Sequence, residues 1–210
     1  ETMERARAKF RDRPDVTLGL ALALSAAKRH ADSLAMFATV VTEAKGRNEG
    51  LLDSEFYFKW GAAAEQAGQV EKAAELLRKS IGLDPDTPEA YNYLGYMWVD
   101  KGQNLEEAGQ LIKRAVEMSP TNGAYLDSLG WYYYKVGKFD DAKKQLLAAI
   151  EKLTEEDPVV LDHLADACEA MAQHPEAIGY WERALKLKPD EPEKLQQKIT
   201  AARQKQAEAK

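Results

Sequence analysis

The sequence predicts an all-α fold, an α-solenoid of stacked antiparallel helix pairs, because three kinds of residue recur at one spacing. Glycines lie 34 and 35 residues apart, at Gly61, Gly95 and Gly130. Alanines recur at separations of 35, 34 and 35 residues, at Ala73, Ala108, Ala142 and Ala177. Prolines are 35 residues apart at Pro85 and Pro120. A period shared by three residue types predicts one structural unit that is used several times.

Each period contains the pattern of two helices. Residues 89–101 place one set of residues 3 and 4 positions apart, which is the spacing of one helix face: Tyr91, Leu94, Gly95 and Trp98. Gly102 is expected to end this helix, because glycine tolerates the left-handed cap. A second helix is predicted over residues 105–117, and Pro120 ends it. The segments WGAAAEQAG with AAELLRKSI, and SLGWYYYKVG with DAKKQLLAAI, repeat the pattern.

These positions closely resemble the tetratricopeptide repeat (TPR) family, which alternates large and small residues on two helices. In one repeat the matching residues are Tyr57, Trp60, Gly61, Ala64, Ala73, Leu77, Ser80 and Pro85. In the next repeat they are Tyr91, Leu94, Gly95, Trp98, Ala108, Ile112, Ala115 and Pro120. The resemblance extends over residues 14–189 and implies a right-handed superhelix of helix pairs. More weakly, the sequence is similar to bacterial TPR envelope lipoproteins and adaptors.

The period divides the chain into five predicted repeats, which cover residues 14–47, 54–87, 88–122, 123–157 and 158–191. Residues 1–13 are expected to be the remnant of a preceding repeat helix, so that the chain begins inside a longer array. Residues 192–210 are expected to form a C-terminal capping helix with a frayed tail, since Leu195, Ile199 and Ala202 follow helical spacing.

Composition and motifs exclude several classes of function. The net charge of −6 disfavours nucleic-acid binding, which normally needs a basic surface. The one cysteine, Cys168, cannot form an internal disulfide, and no apolar run is long enough to cross a membrane. The sequence contains no GxSxG, Walker, HExxH or nucleotide-binding motif. We therefore expect a protein that is not an enzyme and holds no cofactor.

The TPR resemblance implies that the first helix of each repeat lines a concave groove. The candidate partner-binding residues at these positions are Phe58, Glu65, Asn92, Tyr96, Val99, Asp127, Trp131, Tyr134, Asp162, Asp166 and Glu169. The groove positions contain aromatic residues and carboxylates but no Lys or Arg. Family members that hold acidic C-terminal tails use a clamp of Lys, Arg and Asn, of which only Asn92 is present here.

The expected partner is therefore a protein helix or extended segment with basic and apolar residues. Tyr96, Trp131 and Tyr134 are the predicted anchors, because Tyr and Trp are enriched among binding hot spots. An alternative is that Trp131 and Tyr134 merely pack on a neighbouring repeat.

Two clusters resemble metal sites only superficially. His163, Cys168 and His174 are spaced by 5 and 6 residues, which scatters them around a helix, so Cys168 is interpreted as a core residue. Asp162, Asp166 and Glu169 form a carboxylate ladder on one face, which favours an acidic groove wall over a cation site. No metal site is predicted.

The sequence leaves several functions open. The first is a non-catalytic scaffold that acts as an adaptor in a bacterial multiprotein assembly. The alternatives are a regulatory or substrate-binding domain of a larger enzyme, and a self-associating array that forms a homo-oligomer. The expected location is the periplasmic side of the bacterial envelope, with an anchor missing from these 210 residues, and the alternative is the cytoplasm.

Overall fold

The computed structural model describes Arg5 and residues 13–208. Its helices are α1 (Pro14–Ala26), α2 (His30–Ala44), α3 (Ser54–Gln66), α4 (Val70–Leu83), α5 (Pro88–Lys101), α6 (Leu105–Met118), α7 (Gly123–Lys135), α8 (Phe139–Lys152), α9 (Pro158–Ala170), α10 (His174–Lys186) and α11 (Pro192–Glu208). Residues 13–208 contain no β-strand. The predicted all-α fold of helix pairs is confirmed. The remnant helix predicted over residues 1–13 lies, apart from Arg5 and Arg13, outside the described residues.

The helix bounds follow the sequence pattern closely. The helices predicted over residues 89–101 and 105–117 are α5 and α6, each one residue longer than expected. Residues 45–53, which connect the first two helix pairs, include one turn of 3₁₀ helix, Glu49–Leu51.

The first compact unit of the chain ends at Leu94. Its core is rich in aromatic rings, with Phe37 stacked on Trp60 at 6.1 Å and edge-on to Phe56 at 5.8 Å between ring centroids. Gly61 lets α3 approach α4 closely, because a Cβ there would lie 2.8 Å from Leu77 Cγ. The small residue of the repeat pattern therefore sets the distance between the two helices.

The second compact unit runs from Gly95 to the C-terminus. A Cβ on Gly95 would lie 2.6 Å from Ile112 Cγ1 and 2.9 Å from the Ala108 carbonyl oxygen. Gly130 stands in the same relation to Leu146, with 2.5 Å to its Cγ. The glycine period and the alanine period thus describe the two sides of one contact, in which the helices of a pair touch.

Two of the turns within helix pairs depart from the glycine pattern, and the first is the turn after α1, where Lys28 has φ 57°. The turns after α3, α5 and α7 contain a glycine with positive φ, but the turn after α9 has Ala172 at φ 58°. An L-residue with a Cβ is strained in this left-handed region. The sequence pattern at Gln173 and His174 gave no sign that an alanine would take over the role of glycine.

Helix α11 covers the end of the second unit. Leu195, Ile199 and Ala202 are buried against the preceding helices, as their spacing predicts. The tail that was expected to fray is helical as far as Glu208, and residues 209–210 lie outside the described residues. None of the helices described is long and apolar enough to cross a membrane.

Candidate protein-binding groove

In the first unit, the predicted residues Phe58 and Glu65 meet through a residue that the sequence reasoning missed. The ring of Phe58 lies edge-on to Tyr93 at 5.5 Å, and the Tyr93 hydroxyl donates to Glu65 Oε2 across 3.4 Å. Burial, together with the Glu65 carboxylate, raises the pKa of Tyr93 to about 12. The third predicted residue, Asn92, is partly buried, and its Oδ1 has no hydrogen-bond partner.

In the second unit, two tyrosines lie among carboxylates. Tyr96 is partly buried, and its pKa is raised first by burial and then by the charges of Asp127, Asp100 and Asp157. Burial also raises the pKa of Tyr134, and Asp166 adds to this effect. Tyr96 therefore combines an aromatic face with a negative electrostatic environment, whereas near Tyr134 the ammonium of Lys198 opposes the effect of the carboxylates.

Trp131 is an inter-repeat packing residue. Its ring stacks on Tyr134 at 4.8 Å and on His163 of the next repeat at 4.0 Å between centroids, and only 9% of the residue is exposed. Lys135 Nζ lies 4.9 Å from the same ring centroid. The packing alternative describes Trp131, so we no longer place this residue among the partner-binding anchors. Its indole Nε1 is buried without a hydrogen-bond partner.

Two further residues that the sequence predicts on the groove surface are buried. Val99 has 0% exposure and belongs to the core, which corrects its placement on the groove. Asp127 is buried, with its Oδ1 2.9 Å from His163 Nδ1. Sequence reasoning missed His163 as the partner of Asp127, because a separation of 36 residues between two repeats leaves no local signal.

The carboxylate ladder of α9 is paired largely by the chain itself. Lys198 Nζ, on α11, donates to Asp162 Oδ1 at 2.6 Å and to Asp166 Oδ2 at 2.8 Å. Burial alone would lower the pKa of Lys198, but the two carboxylates raise it above its ordinary value. Asp166 is sufficiently buried and close to Asp162 that its own pKa is raised as well.

Glu169 at the end of the ladder is paired twice. Its Oε2 lies 2.7 Å from His174 Nδ1, and its Oε1 accepts from Lys205 Nζ at 2.9 Å. Burial raises its pKa, yet these two partners outweigh burial and hold the pKa below the ordinary value. The predicted acidic wall is thus to a large extent the contact surface of α10 and α11.

Comparison with known proteins identifies the repeat. The sequence profile described as "Tetratricopeptide repeat" matches residues 58–123 and 128–192. The chain belongs to the tetratricopeptide repeat family. Among curated proteins, none matches the chain.

Solved structures show the same TPR fold. A thermophilic TPR protein of Thermus thermophilus is 22% identical, with a TM-score of 0.70 over 90% of this chain and 98% of that one. MamA from Desulfovibrio magneticus is 15% identical, with a TM-score of 0.68 over 83% and 94%. PilF of Pseudomonas aeruginosa is 15% identical, with a TM-score of 0.67 over 89% and 78%. At these identities the likeness shows the fold alone.

Among the described residues of the second unit, the exposed large apolar side chains are Leu147, Val159 and Leu187. Val159, near the start of α9, is 49% exposed and lines a cavity of about 400 Å³ together with Pro158, Leu195 and Asp162. An exposed valine next to a polar rim is a suitable contact for an apolar side chain of a partner.

The residues that could hold a metal are dispersed in this TPR protein. Across the described residues, no three His, Cys, Asp or Glu side chains come together as a metal site. Cys168 is buried, and burial raises the pKa of its thiol to about 11. A neutral, buried thiol is a packing group in the repeat core.

Proposed function

We propose that this TPR protein is a non-catalytic scaffold that binds a basic and apolar segment of a protein partner on its second unit. The proposed site comprises Tyr96, Tyr134, Val159 and the exposed carboxylates Asp100 and Asp157. The observation that carries the proposal is the partly buried ring of Tyr96 with the exposed carboxylates Asp100 and Asp157 in its vicinity. TPR proteins as a family bind other proteins, which supports the general role.

The proposed recognition uses two kinds of contact. A Lys or Arg side chain of the partner lies against the ring of Tyr96 and close to Asp100 and Asp157, so that the ring face and the carboxylates both attract it. An apolar side chain of the same segment covers Val159. The aromatic residues supply most of the binding energy, since Tyr is enriched among hot spots.

Asp162 and Asp166 of the carboxylate ladder contribute less to the proposed partner binding than the sequence suggested. Asp162 and Asp166 already bind Lys198, and a partner would have to compete with an ammonium that is tethered to the same chain. Asp100 and Asp157 are exposed, and within residues 13–208 no ion pair includes either side chain, although Lys135 Nζ donates to the main-chain carbonyl of Asp100 at 3.2 Å. They are therefore the carboxylates that a partner's cation reaches first.

We infer further that the scaffold acts as an adaptor in a bacterial multiprotein assembly at the periplasmic side of the envelope. The sequence resemblance to bacterial TPR envelope lipoproteins and adaptors supports this. Fractionation of cells that carry the native gene, followed by immunoblotting, tests the location. Recovery in the cytoplasmic fraction alone contradicts it.

The binding site is tested with two blocked peptides of equal length, one with a Lys-Leu-Lys centre and one with Gln-Leu-Gln. Fluorescence anisotropy with the 210-residue protein should show tighter binding of the lysine peptide and a loss of affinity as salt rises. The variants Asp100→Asn and Asp157→Asn should each weaken binding by about two- to five-fold, the range of an exposed ion pair. Asn at 157 still caps α9, where the carboxylate now accepts from the Val159 amide.

The matched control is Glu151→Gln, which removes an exposed carboxylate of the second unit outside the proposed site. It should leave both affinities unchanged. Equal affinity for the lysine and glutamine peptides contradicts the proposal, as does an equal loss in the control and the two site variants.

A further inference from the structure

The first unit contains a cavity whose charge is opposite to that of the chain. It has a volume of about 620 Å³ and lies between α1 and α3 at the turn from α1 to α2. The residues that matter for its chemistry are Leu22, Lys28, His30, Phe58, Lys59 and Gln66. No Asp or Glu is among the described residues that line it. In a chain of net charge −6, a cavity with two lysines and no carboxylate is a local exception.

The two lysines differ in whether a carboxylate of the chain already pairs with them. Among the described residues, no carboxylate pairs with Lys28, which lies in the turn at φ 57° and is exposed. Lys59 donates to Glu55, one turn earlier on α3, with 2.6 Å between Nζ and Oε1. This pair is exposed, and exposed pairs are weak, so a second carboxylate can share Lys59 at little cost.

His30 adds a donor at the wall of the cavity. Its Nδ1 is buried and has no hydrogen-bond partner. A buried N–H without an acceptor is rarer than a buried acceptor without a donor, which favours the tautomer that carries the hydrogen on Nε2. In this tautomer Nε2–H is the donor of the ring, and His30 lines the cavity and is only partly buried.

The remainder of the lining is apolar except for Ser25 and Gln66, where Ser25 Oγ donates to Gln66 Oε1 at 3.3 Å. Leu22 and Phe58 belong to α1 and α3, and the small side chains Ala62 and Ala63 leave the space between these helices open. A ligand that fits this lining carries one negative group for the lysines and an adjoining apolar group for Phe58. Ala26, Lys28 and Gln66 are all exposed, so a polypeptide can enter and leave at this edge.

We propose that this cavity binds an Asp or Glu side chain within a segment of a partner protein, with the neighbouring apolar side chain of that segment against Phe58 and Leu22. The carboxylate bridges Lys28 and Lys59 and accepts from His30. Sequence reasoning had disfavoured acidic partners because the expected groove positions lack Lys and Arg. Lys28 lies in a turn and Lys59 one residue beyond a groove position, so the repeat pattern places neither of them in the groove.

The proposal is tested with three labelled peptides and the full 210-residue protein. The first peptide is blocked at both ends and has a Leu-Glu-Leu centre, the second has Leu-Gln-Leu, and the third has the glutamine centre with a free C-terminal carboxylate. Anisotropy at low salt should show that the first binds most tightly. Lys28→Gln and Lys59→Gln should each weaken its binding by about three- to five-fold, and the double variant by more.

The control variant is Lys45→Gln, which removes an exposed lysine of the same unit outside the cavity. Its affinity for the glutamate peptide should stay within about two-fold of the unaltered protein, since no ion pair is lost. Circular dichroism before binding confirms that each variant is folded.

Equal affinity for the Glu and Gln peptides overturns the proposal, and so does a loss in Lys45→Gln as large as that in Lys28→Gln. Preference for the third peptide also overturns it, because the cavity then recognises a chain terminus. The site lies in the first unit, so its failure is distinguishable from failure of the proposed groove, which is probed by Asp100→Asn and Asp157→Asn in the second.

Discussion

Lys198 Nζ lies 2.6 Å from Asp162 Oδ1, and this ion pair ties the last helix, α11, to the first helix of the repeat before it. The same ammonium reaches Asp166 at 2.8 Å. Only 24% of the Lys198 side chain is exposed, so these ion pairs are largely shielded from water, and Asp162 Oδ1 also accepts from Trp181 Nε1 at 2.8 Å.

Replacing Lys198 with Met should destabilise the protein, because two neighbouring carboxylates lose the cation between them. We expect a loss of about 2 kcal/mol in the free energy of unfolding, below the range for fully buried pairs. Urea denaturation measures this. Lys205→Met, which removes the more exposed partner of Glu169, should cost clearly less. Equal losses in the two variants would contradict the special position of Lys198.

The pH dependence of stability should contain a contribution from Glu169. Its pKa is held below the ordinary value of 4.5 in the folded state. A depressed carboxylate pKa stabilises the fold above the unfolded pKa, and this stabilisation is lost as pH falls through the folded pKa. Urea midpoints recorded from neutral pH into the acid range should therefore fall less steeply in Glu169→Gln than in the unaltered protein. Identical acid slopes would show that Glu169 is not linked to folding.

Two glycines inside helices of the second unit should respond oppositely to alanine. Gly95→Ala places a Cβ 2.9 Å from a backbone carbonyl that cannot move freely, and should destabilise by about 1–3 kcal/mol. Gly179→Ala, in α10, meets nothing within 4 Å and should stabilise by about 0.5–1 kcal/mol through helix propensity. Thermal unfolding of both variants provides the comparison. A stabilised Gly95→Ala would show that the helices of this pair can separate at no cost.

Substitutions of Trp131 and Val159 should distinguish a packing residue from a surface residue by their effects on stability. Trp131→Ala removes a ring that stacks on His163 and Tyr134, and should destabilise by about 3 kcal/mol. Val159→Ala alters a half-exposed side chain and should change stability by less than about 0.5 kcal/mol. Chemical denaturation tests both. If Trp131→Ala keeps full stability, the packing interpretation of this residue is wrong.

Cys168 should react slowly with thiol reagents in the native protein. Its pKa of about 11 leaves little thiolate at mildly alkaline pH, and its side chain is buried. The variant Glu151→Cys supplies an exposed thiol in the same molecule as an internal standard. Labelling followed by peptide mass analysis should show residue 151 modified well before residue 168 in native buffer, and both in urea. Equal native rates would rule out a buried thiol.

The sequence was sufficient for the repeat but not for its polar contacts. Gly95 and Ala108 could be paired in advance because a small residue at a fixed period has one physical explanation, close helix approach. The contacts of Lys198 and His163 could not, because each depends on a side chain 36 residues away and on which of several polar positions faces the neighbouring helix. The cap was predicted from Leu195, Ile199 and Ala202, whose apolar spacing carries no information about Lys198.

Solvent exposure was the second quantity that the sequence could not supply. Val99 and Trp131 occupy groove positions by their place in the repeat, yet both are buried. Large side chains on adjacent first helices fill the space between those helices and cover each other. The sequence also did not predict the cavity beside Lys28. A turn and small side chains leave space there, and the repeat pattern does not specify that space.

The contacts of α11 have a consequence for how such an array changes its length. Lys198 contacts Asp162 and Asp166 at separations of 36 and 32 residues, and His163 contacts Asp127 and Trp131 at the same two separations. An in-frame deletion of the 35 residues 157–191 would therefore bring the lysine next to Asp127 and Trp131, an acid and an aromatic face that both attract a cation. The loss of one repeat ahead of α11 would thus leave this helix with an acidic and aromatic surface on which Lys198 can pack.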